Sequence, residues 1–303
     1  MSAAPVPSHP PASAPRRSGY LLVLAATLCY AIGGNVVKVL FSNGATPVAL
    51  AQLRIGFAFS WLLIFVLLFR RARLRVPRHE VLHLLLFGLV AVAGVQLTYY
   101  LAISKINIAV ATFTQFSAIV GIAAWERFRR HQPVSARLWL AVVLVLGGSF
   151  LMVGAYRPQL LRLNLAGIGL SLVAAVFLAA YLLRASTLVT RVDRFSMLLY
   201  AFGAATAMWL VIDLIARPPL PANPQIWIAM ALIGLFGTLV PFGLQLTALR
   251  WLRPSIVGIL AAAEPVFAGI IAFLVFRDAL EPPQVLGAAI VCAGIVLAQA
   301  GDD

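Results

Sequence analysis

Residues 254–278 read PSIVGILAAAEPVFAGIIAFLVFRD, an apolar run with an acid and a proline side by side at its middle. The run is long enough to cross a bilayer as a helix, which places Glu264 near the midplane. A carboxylate at that depth is costly and indicates a functional site. Pro265 cannot donate a backbone hydrogen bond and crowds the carbonyl of Ala261, so we expect the helix to be kinked or locally open beside the acid.

The whole chain is as apolar as this stretch. It is 62% hydrophobic and 11% charged, with a mean hydropathy of +0.99, whereas a soluble domain is roughly one quarter charged. The composition indicates an integral membrane protein. The net charge of +14 does not indicate nucleic-acid binding, because the basic residues lie in short connections between apolar runs and set the topology. We expect no cofactor, and no G-x-x-x-x-G-K-[ST] loop is present for ATP-driven transport.

Ten runs of span length follow an amino-terminal segment, residues 1–18, whose richness in Pro, Ala and Ser predicts a disordered cytoplasmic tail. The runs cover residues 19–40, 46–69, 81–103, 107–126, 136–155, 165–187, 195–216, 224–248, 254–276 and 282–300. With the amino terminus inside, sixteen of the 23 Lys and Arg residues fall on inner segments and five on outer ones. This excess predicts that both termini are cytoplasmic.

The two halves of the chain, residues 19–155 and 165–300, resemble each other. For example, Gly148 and Gly294 recur 146 positions apart in the fifth span of each half. Because five spans are an odd number, the second half must cross the membrane in the opposite direction to the first. The chain is therefore predicted to be an all-α integral membrane protein, with ten transmembrane helices arranged as two inverted five-helix repeats around a central cavity.

A family resemblance is carried mainly by the second half. Its residues are Ala248-Leu249, Ser255, Glu264-Pro265-Val266, Arg277-Asp278, Gly287 and Gly294, with Arg54 in the second span. This pattern resembles the EamA-type members of the drug/metabolite transporter superfamily. Where the family usually carries Gly-Glu, this chain has Arg277-Asp278 in the second half and the Arg-rich stretch 125–134 in the first. The position in the first half that matches Glu264-Pro265 falls near Ala118-Ile119. The resemblance implies a ten-helix transporter fold and the export of amino acids or other small metabolites.

Polar and aromatic side chains on the third, fourth and eighth spans predict a substrate pocket. Gln96, Tyr99 and Tyr100 share one face of a helix, and donors, acceptors and a ring face are what a zwitterion needs. The alternative is hydrogen bonding between helices without a ligand. The candidate substrate-binding residues are Lys38, Gln96, Tyr99, Tyr100, Gln115, Ser117, Phe242 and Gln245.

Four residues are candidates for gating or coupling: Arg54, Pro241, Glu264 and Pro265. Arg54 lies too deep to reach the interface, so we expect it to form a structural pair or to contact a carbonyl, with direct binding of the substrate as the alternative. Glu264 could carry a proton, or it could accept hydrogen bonds that hold the kink. The absence of an acid and a proline from the fourth span favours the second role, in a helix break that belongs to one half. Lys38 either snorkels to the outer interface or faces the cavity.

Residues His79-Glu80-Val81-Leu82-His83 form a literal H-E-x-x-H sequence. On a helix, this spacing turns two imidazoles to one face, where they can bind zinc with the glutamate as general base. The alternative function is therefore an intramembrane metalloenzyme. The stretch also follows a proline at the start of the third span, where an early glutamate suits the helix dipole, and no third ligand is evident. We therefore predict a helix start and no metal site.

Together with the resemblance, these features predict a secondary transporter in the bacterial inner membrane. It would move small metabolites, with amino acids as the first candidates, by alternating access and as an exporter. The expected partners are a small polar substrate and the lipid bilayer, with no nucleic acid, and we expect the protein to be a monomer and not an enzyme.

Overall fold

The computed structural model describes residues 13–42, 46–69, 76–157, 164–216 and 221–301, and every regular element in these ranges is helical. We number the ten helices of the bundle in chain order. They are α1 Ser13–Ser42, α2 Pro47–Phe69, α3 Arg78–Ile103, α4 Ile108–Phe128, α5 Ala136–Met152, α6 Leu165–Leu188, α7 Arg194–Ala216, α8 Pro224–Ala248, α9 Pro254–Phe276 and α10 Pro282–Gly301.

The helices have the length and surface of a membrane bundle. In the described part of the chain, nine of them are long and apolar enough to cross a membrane, and α5, with 17 residues, is a shorter apolar helix. Large apolar side chains such as Leu68, Val176 and Leu214 lie exposed on the surface. An apolar surface of this extent suits lipid and not water. The predicted all-α membrane fold is confirmed.

The first helix starts earlier than the sequence predicted. α1 begins at Ser13, six residues before the expected start of the first span, so residues 13–18 of the expected tail are helical. Residues 1–12 lie outside the described residues. The extra turns carry Arg16 and Arg17, whose long side chains can reach the headgroup region while the backbone stays helical.

Each half contributes its first helix to the other half. α1 packs against α8 and α9, and α6 packs against α3 and α4. A Cβ built on Gly19 would stand 2.9 Å from Cγ of Leu252, and one built on Gly167 would stand 2.6 Å from Cγ2 of Ile106. The two glycines are 148 positions apart and their partners 146. α1 thus begins beside the α8–α9 connection and α6 beside the α3–α4 connection, on opposite sides of the bundle, as an inverted repeat requires.

The last helices of the halves, α5 and α10, share the most extensive contact in the bundle. Gly148 and Gly287 face each other so closely that a Cβ on either one would stand 2.7 or 2.6 Å from the carbonyl oxygen of the other. Gly294 is confined in the same way, because a Cβ built on it would stand 3.1 Å from the carbonyl oxygen of Ala141. Small residues let two backbones approach and gain van der Waals contact, which is the main attraction between helices in lipid.

Candidate functional site

α9 is broken at its middle, beside the acid that the sequence singled out. The helix runs over Pro254–Ala261 and resumes over Glu264–Phe276, with a two-residue turn between the segments. Within the turn, the N–H of Ala263 donates to the carbonyl three residues earlier at 3.1 Å. Pro265 has no N–H, so regular α-helical bonding cannot continue through the turn. The predicted helix opening beside Glu264 is confirmed.

α4 breaks at the matching place. Its segments are Ile108–Phe116 and Ala118–Phe128, and they meet at Ser117, which precedes Ala263 by 146 positions. The N–H of Ser117 donates to the carbonyl three residues earlier at 3.2 Å. Neither a proline nor an acid stands at this break, so its geometry belongs to the repeat and not to the Glu-Pro pair. The sequence had indicated a break in one half, and the structure corrects this to both.

α3 and α8 each contain a π-helical turn, over Phe87–Ala93 and Leu235–Leu239. Each turn begins beside a glycine that touches a neighbouring helix. A Cβ on Gly88 would overlap the backbone of α7, and one on Gly234 would stand 2.6 Å from a side chain of α2. The two glycines are 146 positions apart. The bundle thus has a second symmetric pair of irregular turns, a feature often found at functional sites.

Arg54 of α2 is bonded to the π-helical turn of α8. Its Nε donates to Oγ1 of Thr238 at 2.6 Å, and its Nη2 donates to the carbonyl oxygen of Gly237 at 2.6 Å. In an α-helix this carbonyl would accept from the residue four positions later, but that residue is Pro241, which has no N–H. Arg54 supplies the donor that the proline lacks. The expected carbonyl contact of Arg54 is confirmed.

Glu264 lies in the electrostatic field of Arg54. Tyr30 and Tyr99 are within electrostatic range of both charges, and Cζ of Arg54 is 6.0 Å from the centre of the Tyr30 ring. Glu264 is half-buried, and no hydrogen bond joins its carboxyl group to another described residue. The expected structural role, in which such bonds hold the kink, therefore finds no contact to support it.

Phe242 of α8 is the centre of an aromatic cluster. Its ring makes edge-on contacts with the rings of Tyr30, Tyr181 and Phe202, at centroid distances of 6.0, 5.4 and 5.3 Å. Tyr181 also stacks on Phe87 at 5.5 Å. Because these rings come from α1, α3, α6, α7 and α8, both halves contribute to the cluster. Tyr30, a residue that was not selected from the sequence, connects the cluster to Arg54 and Glu264.

One of the polar candidates of α3, Tyr99, contacts α4. Oη of Tyr99 is 2.7 Å from Oγ1 of Thr112, and the Tyr99 ring meets that of Tyr100 edge-on at 5.8 Å. Gln96 is buried, and its Oε1 has no hydrogen-bond partner among the described residues. Gln115 is half-buried, two residues before the break in α4. A buried acceptor without a partner is suited to a substrate that brings its own donors.

The other substrate candidates lie in different places. The Lys38 side chain is 68% exposed at the end of α1, and its Nζ is 3.5 Å from the carboxylate of Asp278. This corrects its assignment to the pocket, because a lysine near a helix end reaches the interface and finds a counter-ion there. Gln245 is buried on α8, whereas Ser117 lines a groove between α4 and α6.

The H-E-x-x-H sequence forms the beginning of α3. The side chains of His79 and His83 are 77% and 47% exposed, and the Glu80 carboxylate lies 3.8 and 3.5 Å from their ring nitrogens and 3.9 Å from Arg191. Glu80 stands in the first helical turn, where the helix dipole favours an acid. Across the described residues, no group of three or more His, Cys, Asp or Glu side chains is arranged to hold a metal ion.

A buried acid was missed by the sequence analysis. Glu126, near the end of α4, is fully buried and accepts hydrogen bonds from the N–H of Ser255 at 3.2 Å and from its hydroxyl at 2.6 Å. It caps the first turn of α9, where the N–H groups lack helical partners and the dipole favours a carboxylate. Glu126 lies in the Arg-rich stretch that takes the Gly-Glu position of the first half, but nothing local to it indicates a partner 129 residues away.

Comparisons with known proteins agree with this architecture. The profile of the EamA-like transporter family matches residues 17–154 and again residues 165–299. The threonine/homoserine exporter RhtA of Escherichia coli K12 is 26% identical over 279 residues, covering 90% of this chain and 88% of the exporter. The uncharacterized inner membrane transporter YicL of Salmonella typhimurium is 24% identical over 220 residues, which is 73% of each protein.

A solved crystal structure has the same fold. The two superpose with a TM-score of 0.81 at 17% sequence identity, and the match covers 94% of this chain and 97% of the other. The two family matches correspond to the two halves that exchange their first helices. The chain therefore belongs to the EamA-like transporter family, as a multi-pass membrane protein that carries a small molecule.

Proposed function

We propose that this transporter exports amino acids from the cell by alternating access. The observation that carries the proposal is the pair Arg54 and Glu264, one from each half, beside Tyr30 and Tyr99. The similarity to a threonine/homoserine exporter supports the same class of substrate. No contact among the described residues favours the metalloenzyme alternative.

The two charges offer what a zwitterion requires. Arginine has five N–H donors, and the bonds of Arg54 to α8 use only its Nε and Nη2. Its Nη1 can hold the carboxylate of an amino acid through charge-assisted bonds. The carboxylate of Glu264 can receive the ammonium group, and the ring of Tyr30 or Tyr99 can face the same cation.

The breaks in α4 and α9 provide hinges at matching depths, and contacts between the halves stand on both sides of them. On the side where α1 begins, Glu126 holds Ser255. On the opposite side, Arg157 and Glu281 form an ion pair at 2.5 Å, and the hydrogen bond from Arg157 keeps the pKa of Glu281 below its ordinary value. An exposed pair of this kind contributes little stability, so the side with Arg157 should open more easily.

We place both termini in the cytoplasm, with the protein in the inner membrane. The sixteen-to-five excess of basic residues on the segments that share the amino-terminal side supports this orientation. In this orientation the contact of Glu126 with Ser255 closes the cytoplasmic side, and the ion pair of Arg157 with Glu281 lies on the outer side.

Transport in proteoliposomes tests the proposal. We expect saturable movement of labelled threonine and other neutral amino acids, in a panel that includes nucleobases and sugars. Movement of a nucleobase or sugar and of no amino acid would show that the substrate class is wrong. The dependence on a proton gradient, measured in the same vesicles, separates coupled export from facilitated diffusion.

Variants at two acidic residues test the role of Arg54 and Glu264. Glu264→Gln keeps the side-chain shape but removes the charge, so we expect at least about a tenfold loss of transport, the equivalent of one ionic contact of about 1.4 kcal/mol. Asp278→Asn is the control, because it removes a carboxylate charge from an exposed residue just after α9, and its transport should stay near the wild-type level. Full transport by Glu264→Gln, with no dependence on pH, would rule out both ammonium binding and proton transfer at this carboxylate.

A further inference from the structure

A groove of about 630 Å³ opens on the surface of the bundle between α4 and α6. One end of the groove lies at Ser117, the break in the middle of α4, and the other end lies at Arg130 and Arg184. Leu172 and Val176 on its wall are 48% and 67% exposed, so the groove is open to the lipid around the bundle. It is separate from the pair of Arg54 and Glu264 and is not needed for the transport proposal.

The groove has the length of one lipid leaflet. From Leu172 to Arg184 the α6 wall rises by twelve residues, or about 18 Å at 1.5 Å per residue. One leaflet with its headgroups is about 20 Å deep, half of the roughly 40 Å of a bilayer. Alanines line the middle of this wall, including Ala175 and Ala179. Their small side chains leave a trough in which an acyl chain can lie against the helix.

The chemistry changes at the end of the groove. Arg130 is fixed in place, because its Nη2 donates to the carbonyl oxygen of Leu183 at 2.8 Å and to Oγ of Ser186 at 3.1 Å. Arg184 is exposed on the other wall, one turn before Thr187, which also lines the groove. Two guanidinium groups and a hydroxyl at the depth of the headgroups match a phosphodiester, which arginine binds through paired N–H donors.

We propose that the groove binds one anionic phospholipid, with its phosphate at Arg130 and Arg184 and one acyl chain along α6 towards Ser117. The complementary charge selects this occupant over a neutral lipid, which would gain only the apolar contacts. In the orientation proposed above, the arginines face the cytoplasmic leaflet, whose anionic lipids attract basic side chains. A lipid bound here would lie against the α4 hinge and could bias its movement.

Trp125 lines the groove and serves as its reporter. The chain contains six tryptophans, so the signal of Trp125 is the difference between the wild type and a Trp125→Phe variant. We would reconstitute both into vesicles of equal parts phosphatidylglycerol and phosphatidylcholine, in which the acyl chains of only one of the two lipids carry bromine, which quenches tryptophan fluorescence on contact. We expect the Trp125 signal to be quenched at least about twice as strongly when phosphatidylglycerol is the lipid that carries the bromine.

Charge variants decide between a specific site for the lipid phosphate and non-specific contact with the surrounding lipid. Arg184→Gln should remove the preference for phosphatidylglycerol, because one of the two groups that hold the phosphate is lost. Arg250→Gln removes the same charge from an exposed position outside the groove, and it should keep the preference. Equal quenching by the two lipids in the wild type, or an unchanged preference in Arg184→Gln, would overturn the proposal.

Discussion

Arg54→Leu and Pro241→Ala should act on the same carbonyl group and should therefore not be additive. Arg54 donates to the carbonyl of Gly237 at 2.6 Å, which Pro241 leaves without its helical donor. Leucine at position 54 cannot donate, so this carbonyl would be unpaired in an apolar environment. Alanine at position 241 restores a backbone N–H, which can pair with the same carbonyl as in an ordinary α-helix.

The magnitudes follow from the number of bonds that each change affects. Arg54→Leu removes two hydrogen bonds with a charged donor, each contributing about 1.5 kcal/mol or more, and leaves a polar group unpaired at about 1–3 kcal/mol. Hydrogen bonds between membrane helices measure lower, at about 0.6 kcal/mol on average. We therefore expect a loss of about 3 kcal/mol. Adding Pro241→Ala should recover about 1 kcal/mol, the part that belongs to the Gly237 carbonyl.

The assay is a double-mutant cycle on the free energy of unfolding, measured by titrating the micelle-bound protein with a denaturing detergent. Thr238 keeps its bond to the carbonyl of Ile233 at 3.2 Å, so its hydroxyl should not be left unpaired in the Arg54→Leu variant. If the double variant is as unstable as Arg54→Leu, or less stable, then Arg54 does not act by replacing the N–H that Pro241 lacks.

Two further changes test the joints between the halves. Glu126→Gln should lower the free energy of unfolding by about 1–2 kcal/mol, because the buried group that caps Ser255 loses its charge. Hydrogen exchange at the start of α9 should become faster, and unchanged exchange there would contradict the cap. Gly148→Leu should abolish folded yield in size-exclusion chromatography, because a Cβ would stand 2.7 Å from the Gly287 carbonyl oxygen, whereas Gly147→Leu should be tolerated because its Cβ meets nothing within 4 Å. Equal yields from the two leucine variants would refute the close contact of α5 with α10.

Hydropathy and proline chemistry were enough to predict the ten helices and the opening beside Glu264. Both are local properties: an apolar run must satisfy its backbone internally, and Pro265 lacks an N–H wherever its neighbours lie. The same reasoning led from the depth of Arg54 to a carbonyl contact. The partner Gly237 was beyond it, because 183 residues separate the two and only the fold brings α2 to the π-helical turn of α8.

Features that depend on symmetry or on distant pairing were not predictable from single motifs. No proline near Ser117 indicates a break there, and only its place 146 positions before Ala263 relates it to the break in α9. The cap of Ser255 by Glu126 spans 129 residues. For Lys38 the sequence left the outer interface and the cavity as alternatives, and the choice of the interface depends on Asp278, which α1 reaches only in the folded bundle.

The charged groups of the site are additions to a symmetric frame. The turn in α3 has Val95 where the turn in α8 has Pro241, so its backbone keeps the N–H that Pro241 lacks and needs no donor from another helix. The position 148 residues after Arg54 holds Phe202, which packs in the aromatic cluster. In the same way, α4 breaks without an acid, so the carboxylate of Glu264 is not required for a break at this depth. Glu264 is thus a charge inside the membrane that the break does not require and that is costly to keep. Its place within electrostatic range of Arg54 supports the proposal that it binds the substrate.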